Sequence, residues 1–329
     1  MGTRSLAFGY GAALACALVV SAVVAAVVPV AGQSGAGGFS VPRTPWGDPD
    51  LQGTYTNTYE NGTPFERPEM FAGRRLEDVT REELVEIKTA LRERTIGAFL
   101  GPIHAPDNWW QDNLELERGS QAWFVVDPTD GRIPPMTEAA QVRIAAGREA
   151  RRSSTRGPAD SFTDRSLYDR CITRGLPGSM LPAIYGNQYQ IVQGPGYVAI
   201  LYEMIHETRV IPLGGSGNLP DGIARDVGYA HGRWDGDALV VTTRNFLDRS
   251  VYRNANASTL TLTERFERVE PGKLQWSVTV DDPETWTRPW TFSMPLTDDP
   301  NPLPLYECHE GNYGLQNILS AARAEERAP

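Results

Sequence analysis

An unbroken apolar and small-residue run from Leu6 to Val28, free of charge and preceded by Arg4, opens the chain. Such a run is the core of an export signal, and its length also reaches the roughly 18 residues of a membrane-spanning helix. Pro29 and the small residues Val30-Ala31-Gly32 provide a cleavage site, so 1–32 reads as a signal peptide, with a retained membrane anchor as the alternative. Residues 33–50 are rich in Gly, Ser and Pro and predict a flexible linker. The rest, 51–329, shows no composition break and reads as one β-rich domain with peripheral helices.

Two polar-to-apolar periods alternate within that domain. Thr80-Arg81-Glu82-Glu83 has the form of a capping box, and Leu84, Ile87 and Leu91 follow at helical spacing, which predicts a helix over 79–94. A second helix is expected over 137–151 behind a Thr137 N-cap. A closing helix over 314–327 should have Leu315, Ile318 and Leu319 as its buried side. Leu51 to Tyr59 alternates like a strand, and after Asn187 β segments succeed one another between turns. Those segments are 188–193, 197–204, 232–234, 238–244, 259–269, 273–280 and 286–294, separated by turns such as Gly194-Pro195-Gly196, Asp235-Gly236-Asp237 and Glu270-Pro271-Gly272. The pattern predicts a mainly β fold, an antiparallel meander that closes into a lipocalin-like barrel because open edges are a liability, with a β-sandwich as the alternative.

Charge and cysteine count narrow the setting. The 31 basic and 41 acidic residues give a formal charge of −10, a surface that repels nucleic acid and anionic membrane. No membrane contact is expected beyond the possible N-terminal anchor. Lys88 and Lys273 are the only lysines, so positive charge is nearly all arginine, the side chain suited to fixed bidentate pairing. Export places the fold in a periplasm or outside the cell, where disulfides persist. Of three cysteines, Cys16 lies inside the apolar run; Cys171 and Cys308 remain, and one intrachain bridge is the simple count. That bridge can be a staple alone, or it can gather a site.

The second reading follows from what flanks the sulfurs, Tyr168-Asp169-Arg170-Cys171 and Tyr306-Glu307-Cys308-His309-Glu310. General acid–base chemistry needs a His or carboxylate held near a substrate proton, and His309 with Glu310 or Asp169 has the right groups. The stretch 202–209 puts Tyr202, Met204 and His206 on one strand face and Glu203, Glu207 and Arg209 on the other, so His206 and Glu203 join the catalytic candidates. Arg170, Arg174, Tyr202, Arg288, Trp290 and Tyr313 are the candidates for substrate contact. Arg288 and Trp290 belong to Trp286-Thr287-Arg288-Pro289-Trp290, where a guanidinium can stack on an indole, although alternating aromatics also make ordinary core. The dipeptides His206-Glu207 and His309-Glu310 admit zinc or non-haem iron, but there is no His-Glu-x-x-His and no Cys-x-x-Cys, and the expectation is no cofactor. His231 reads as structural, while His104 sits in a loop with Trp109 and Trp110 that is a lid or a packed flap. No Gly-x-Ser-x-Gly elbow, phosphate loop or dinucleotide fingerprint occurs, and Gly214-Gly215-Ser216-Gly217 reads as a flexible loop.

At Ser166-Leu-Tyr-Asp-Arg-Cys-Ile-Thr-Arg-Gly-Leu-Pro-Gly178, Tyr202–Glu207, Gly232–Asp237, Trp286–Trp290 and Cys308-His-Glu-Gly-Asn-Tyr-Gly314, the chain resembles a large group of exported bacterial proteins. The resemblance spans most of the chain after the apolar run. It implies export and a bacterial source, and it carries over no catalytic residue. The expectation from the residues is an exported enzyme using His and carboxylates on a small organic or carbohydrate substrate, as a cofactor-free hydrolase, lyase or isomerase. A lipocalin-like carrier of an apolar or aromatic ligand and a cell-surface scaffold without a cavity are the alternatives.

Overall fold

The structure, a computed structural model, describes residues 39–99, 121–183, 185–214 and 222–327. The expected signal or anchor, His104, Trp109, Trp110 and the Gly215-Ser216-Gly217 stretch lie outside these residues. No described helix is long and apolar enough to cross a membrane. From Ser40 the chain forms one compact unit, and part of the expected linker already belongs to it: Arg43 pairs with Pro49, and the Thr44 amide donates to the Asp48 carbonyl at 2.9 Å.

Alternation of apolar and polar residues builds one antiparallel sheet. Its strands are β1 (Gly53–Thr56), β2 (Val125–Asp127), β3 (Gln188–Gly194), β4 (Tyr197–Tyr202), β5 (Thr208–Pro212), β6 (Tyr229–Asp235), β7 (Ala238–Arg244), β8 (Thr261–Glu270), β9 (Lys273–Asp281) and β10 (Trp290–Asp298). The order is β5-β4-β3-β1-β10-β9-β8-β7-β6, with β2 pairing onto β10. In β9 the residues Leu274, Trp276, Val278 and Val280 are buried and alternate with half-covered ones, so a single face makes the core. Arg209 on β5 reaches Glu264 on β8 across that face although several strands separate them in the ladder, so the sheet is strongly curled.

The expected barrel is not closed. Nine strands in antiparallel succession leave β5 and β6 parallel where the edges approach, and among the described residues their pairing is limited to an isolated parallel bridge between Leu213 and Gly232. Parallel neighbours cannot be joined by a tight hairpin, so the meander that built the other pairs could not supply this one. A single sheet also excludes the sandwich. The fold is therefore mainly β with few helices, but the interior expected as a lumen is occupied: Trp276, Trp290, Phe266 and Phe292 are fully buried within it.

The helices match their sequence signals with one exception. Helix α1 (Arg81–Phe99) begins with the expected capping box, the Thr80 amide donating to Glu83 Oε2 at 2.9 Å and the Glu83 amide to Thr80 Oγ1 at 3.3 Å. Its Leu84 and Ile87 pack on Phe71 and Trp123, and Lys88 is buried against Glu60 at 3.6 Å. Helix α2 (Glu138–Arg152) is capped by Thr137, whose hydroxyl accepts from the Ala140 amide at 3.1 Å. Helix α3 (Tyr313–Glu325) contains no buried residue, so Leu315, Ile318 and Leu319 do not form the buried side expected of them. Their spacing is amphipathic, but the core was already filled by strands.

Candidate functional site

The sulfurs of Cys171 and Cys308 are bonded, with their α-carbons 5.8 Å apart across 137 residues of sequence. Beside the bond lies a cleft of about 400 Å³. One wall is Tyr168, Asp169 and Cys171; the other is Leu305, Tyr306, Glu307 and Cys308, continued by Gly311 and Asn312. Asn312 ties the walls together: its Nδ2 donates to the Asp169 carbonyl at 2.8 Å and lies 3.5 Å from Cys171 Sγ. Its Oδ1 caps α3 by accepting from the Leu315 amide at 3.1 Å. One side chain thus serves the helix start and the cleft together, which orders this wall without an apolar core beneath it.

The loop after Cys171 packs against one end of the sheet. Thr173, Leu176, Ser179 and Met180 are buried, Asn57 Nδ2 donates to the Met180 carbonyl at 2.8 Å, and Tyr189 Oη donates to Asn57 Oδ1 at 3.1 Å. Above this, three phenols converge. Tyr168 and Tyr185 hydroxyls lie 3.2 Å apart, the rings of Tyr185 and Tyr306 stack at 6.4 Å, and Tyr168 Oη meets Met204 Sδ at 3.5 Å. Burial, together with hydrogen bonds to Tyr185 and Tyr306, pushes the Tyr168 phenol far up; burial also raises Tyr306. Both are neutral donors at neutral pH. Arg174 lies over the Tyr168 ring, its Cζ 5.8 Å from the centroid.

The sequence candidates fall into separate places. Asp169 lines the cleft, but its carboxylate is engaged by Arg165 at 3.1 Å and by the Ser166 amide at 3.3 Å. His309, Glu310 and Tyr313 follow the bridge and are exposed. Arg170 stacks on Phe162 at 5.3 Å. His206 does not sit on a strand: β4 ends at Tyr202, Ile205 and His206 take left-handed φ of 63° and 57°, and the Tyr202 amide donates to the Glu207 carbonyl at 2.9 Å. That tight turn exposes His206 and sends Glu207 and Arg209 inward instead. Glu203 holds the turn by accepting from the Gln188 amide at 3.0 Å, and burial raises its carboxyl. Arg288 pairs with Asp127 at 2.8 Å on the surface, and Trp290 is core beside Phe65, Tyr252 and Trp286; none of these partners lines the cleft.

A second polar group lies inside the curled sheet. Arg209 donates both terminal nitrogens to Glu264, Nη1 to Oε2 at 2.6 Å and Nη2 to Oε1 at 3.0 Å, and Trp276 Nε1 donates to Oε1 at 3.2 Å. Tyr202 is wholly buried nearby with its phenol pushed up by burial. Glu207, its carboxyl raised by burial, accepts from Thr173 Oγ1 at 2.7 Å. This pair is enclosed and braces the core. The phenol cluster was missed by sequence reasoning because Tyr168, Tyr185 and Tyr306 share no period; only Tyr168 and Tyr306 carried a signal, through their proximity to the cysteines. Among the described residues no group of three or more His, Cys, Asp or Glu is arranged to hold a metal ion. No protein-family model, curated protein or solved structure matches the chain.

Proposed function

We propose that the protein is exported to a periplasm or beyond the cell and binds a small organic or carbohydrate molecule in the cleft beside the Cys171–Cys308 bond. The observation that carries this reading is the makeup of the two bonded walls. They present the Tyr168 and Tyr306 rings, the Leu305 side chain, carboxylates and an amide around about 400 Å³, which combines stacking faces with hydrogen-bonding groups. The apolar run 6–28 and the bridge itself support export. A carrier with an apolar lumen is less favoured, because aromatic side chains fill the inner face of the sheet.

Acid–base turnover of the bound molecule is a second reading, favoured by two carboxyl residues, Asp169 and Glu307, in the same lining and by His309 and Glu310 directly after Cys308. The test is titration calorimetry of the oxidised protein against a panel of neutral and acidic monosaccharides, repeated with Tyr306→Ala. Binding that weakens in the variant is expected; panel binding indifferent to Tyr306 removes the cleft from consideration. Hydrolysis of aryl glycosides that disappears in both His309→Ala and Glu307→Gln would establish turnover, and activity surviving both rejects it.

A further inference from the structure

We infer that the cleft takes an acidic ligand, a small molecule whose carboxylate docks against the wall formed by Tyr168 and Tyr306 and is drawn there by the guanidinium of Arg174 beside it. This rests on the cleft being a binding site and specifies what it selects. Arg174 makes no hydrogen bond and no ion pair among the described residues, and its Nη1 is buried without a partner. A guanidinium carries five N–H donors, and burying one donor of a charged group without an acceptor is costly, so an acceptor belongs there. Glu203, whose charge acts on the same Tyr189 hydroxyl as Arg174, accepts from the Gln188 amide and makes no ion pair with Arg174.

The surroundings fit an oxoanion. Tyr168 and Tyr306, which line the cleft, also stand beside Arg174: its Cζ lies over the Tyr168 ring, and its charge lowers the Tyr306 phenol against the larger effect of burial. The phenols stay protonated, so the wall offers hydroxyls, and the planar cation of Arg174 stands next to that wall over the Tyr168 ring; hydroxyls with a guanidinium are the donor set that matches a carboxylate. The two carboxylates of the lining orient such a ligand. Asp169 is neutralised by Arg165, whereas Glu307 is exposed at the rim, so an anionic end is steered away from Glu307 and toward Tyr168 and Tyr306.

The experiment titrates D-glucuronate, D-glucose and inorganic phosphate into the oxidised protein by calorimetry, for wild type, Arg174→Gln and Arg174→Lys, with circular dichroism as the check on folding. Glucuronate should bind more tightly than glucose, and Arg174→Gln should weaken it roughly 10- to 100-fold, the range for a charge-assisted hydrogen bond. Arg174→Lys, which keeps the charge and loses the fork, should fall between. Equal affinity for glucuronate and glucose, or an acid preference that survives in a folded Arg174→Gln, overturns the inference and leaves the cleft reading standing. Phosphate binding tighter than glucuronate would assign a free inorganic anion and equally overturn it. If none of the three probes binds the folded wild type, the cleft reading itself fails.

Discussion

Across the core, Arg209 and Glu264 meet through two parallel N–H···O contacts with a third donor from Trp276, so each charge taken out of water has its compensation within the pair. Removing one partner leaves the other buried alone. Glu264→Ala should therefore cost about 3–5 kcal/mol in urea unfolding, while the double variant Arg209→Met/Glu264→Leu should cost much less. Glu207 answers to pH in a definite sense. Burial raises its carboxyl, so the folded state holds this proton more tightly than the unfolded chain does, and its contribution to stability falls as pH rises through the carboxylate range. Glu207→Gln keeps an acceptor for Thr173 Oγ1. Its urea midpoint should change less than the wild type's between about pH 4 and about pH 7. Glu207 and Arg209 were visible in sequence as the alternate face of 202–209, yet the period could not say which face turned inward. The left-handed turn at Ile205 and His206 decided it by ending the strand early.

Elements differ in how firmly the core holds them. Strands β7 to β10 bury an unbroken series of side chains, but α3 buries none and depends on the disulfide, on Asn312 and on the Arg323 contact with the Asp160 carbonyl. Cys308→Ser should thus remove hydrogen-exchange protection from 305–325 while the amides of β8 and β9 stay protected; retained protection in α3 would show that the helix docks without the bridge. The approach of β5 to β6 is as specific. A Cβ on Gly232 would stand 2.7 Å from Leu213 Cδ2, 3.0 Å from Ile211 Cγ2 and 3.3 Å from Leu239 Cδ1. Gly232→Ala should cost about 1–3 kcal/mol, read from the thermal midpoint. Capping boxes and hairpin turns are local chemistry, which is why α1, α2 and most strands were legible. Strand β2 and strand β5 were not: β2 has three residues, and β5 was merged with β4 by a shared alternation.

At the scale of the molecule, β1 lies between β3 and β10, so a strand near residue 53 is sealed between others more than 130 residues later in the chain. The β3-to-β5 half of the sheet joins the β6-to-β10 half through β1. Tryptophan fluorescence and far-ultraviolet circular dichroism should report one coincident unfolding transition for the oxidised protein, and separated transitions would contradict this single-sheet cooperativity. By itself the sequence determined what depends on neighbours along the chain: β content, helix starts, turn positions, the negative surface and the pairing of the two cysteines left outside the apolar run. Tertiary structure decided what depends on where distant strands arrive. It filled the inner face with aromatics, left the two edges parallel and unclosed, exposed His206 and His309, and brought Tyr168, Tyr185, Tyr306 and Arg174 to one place. Residue spacing encodes a face or a turn, whereas the meeting of four side chains from three separate segments is fixed only when the sheet has curled and the bridge has closed.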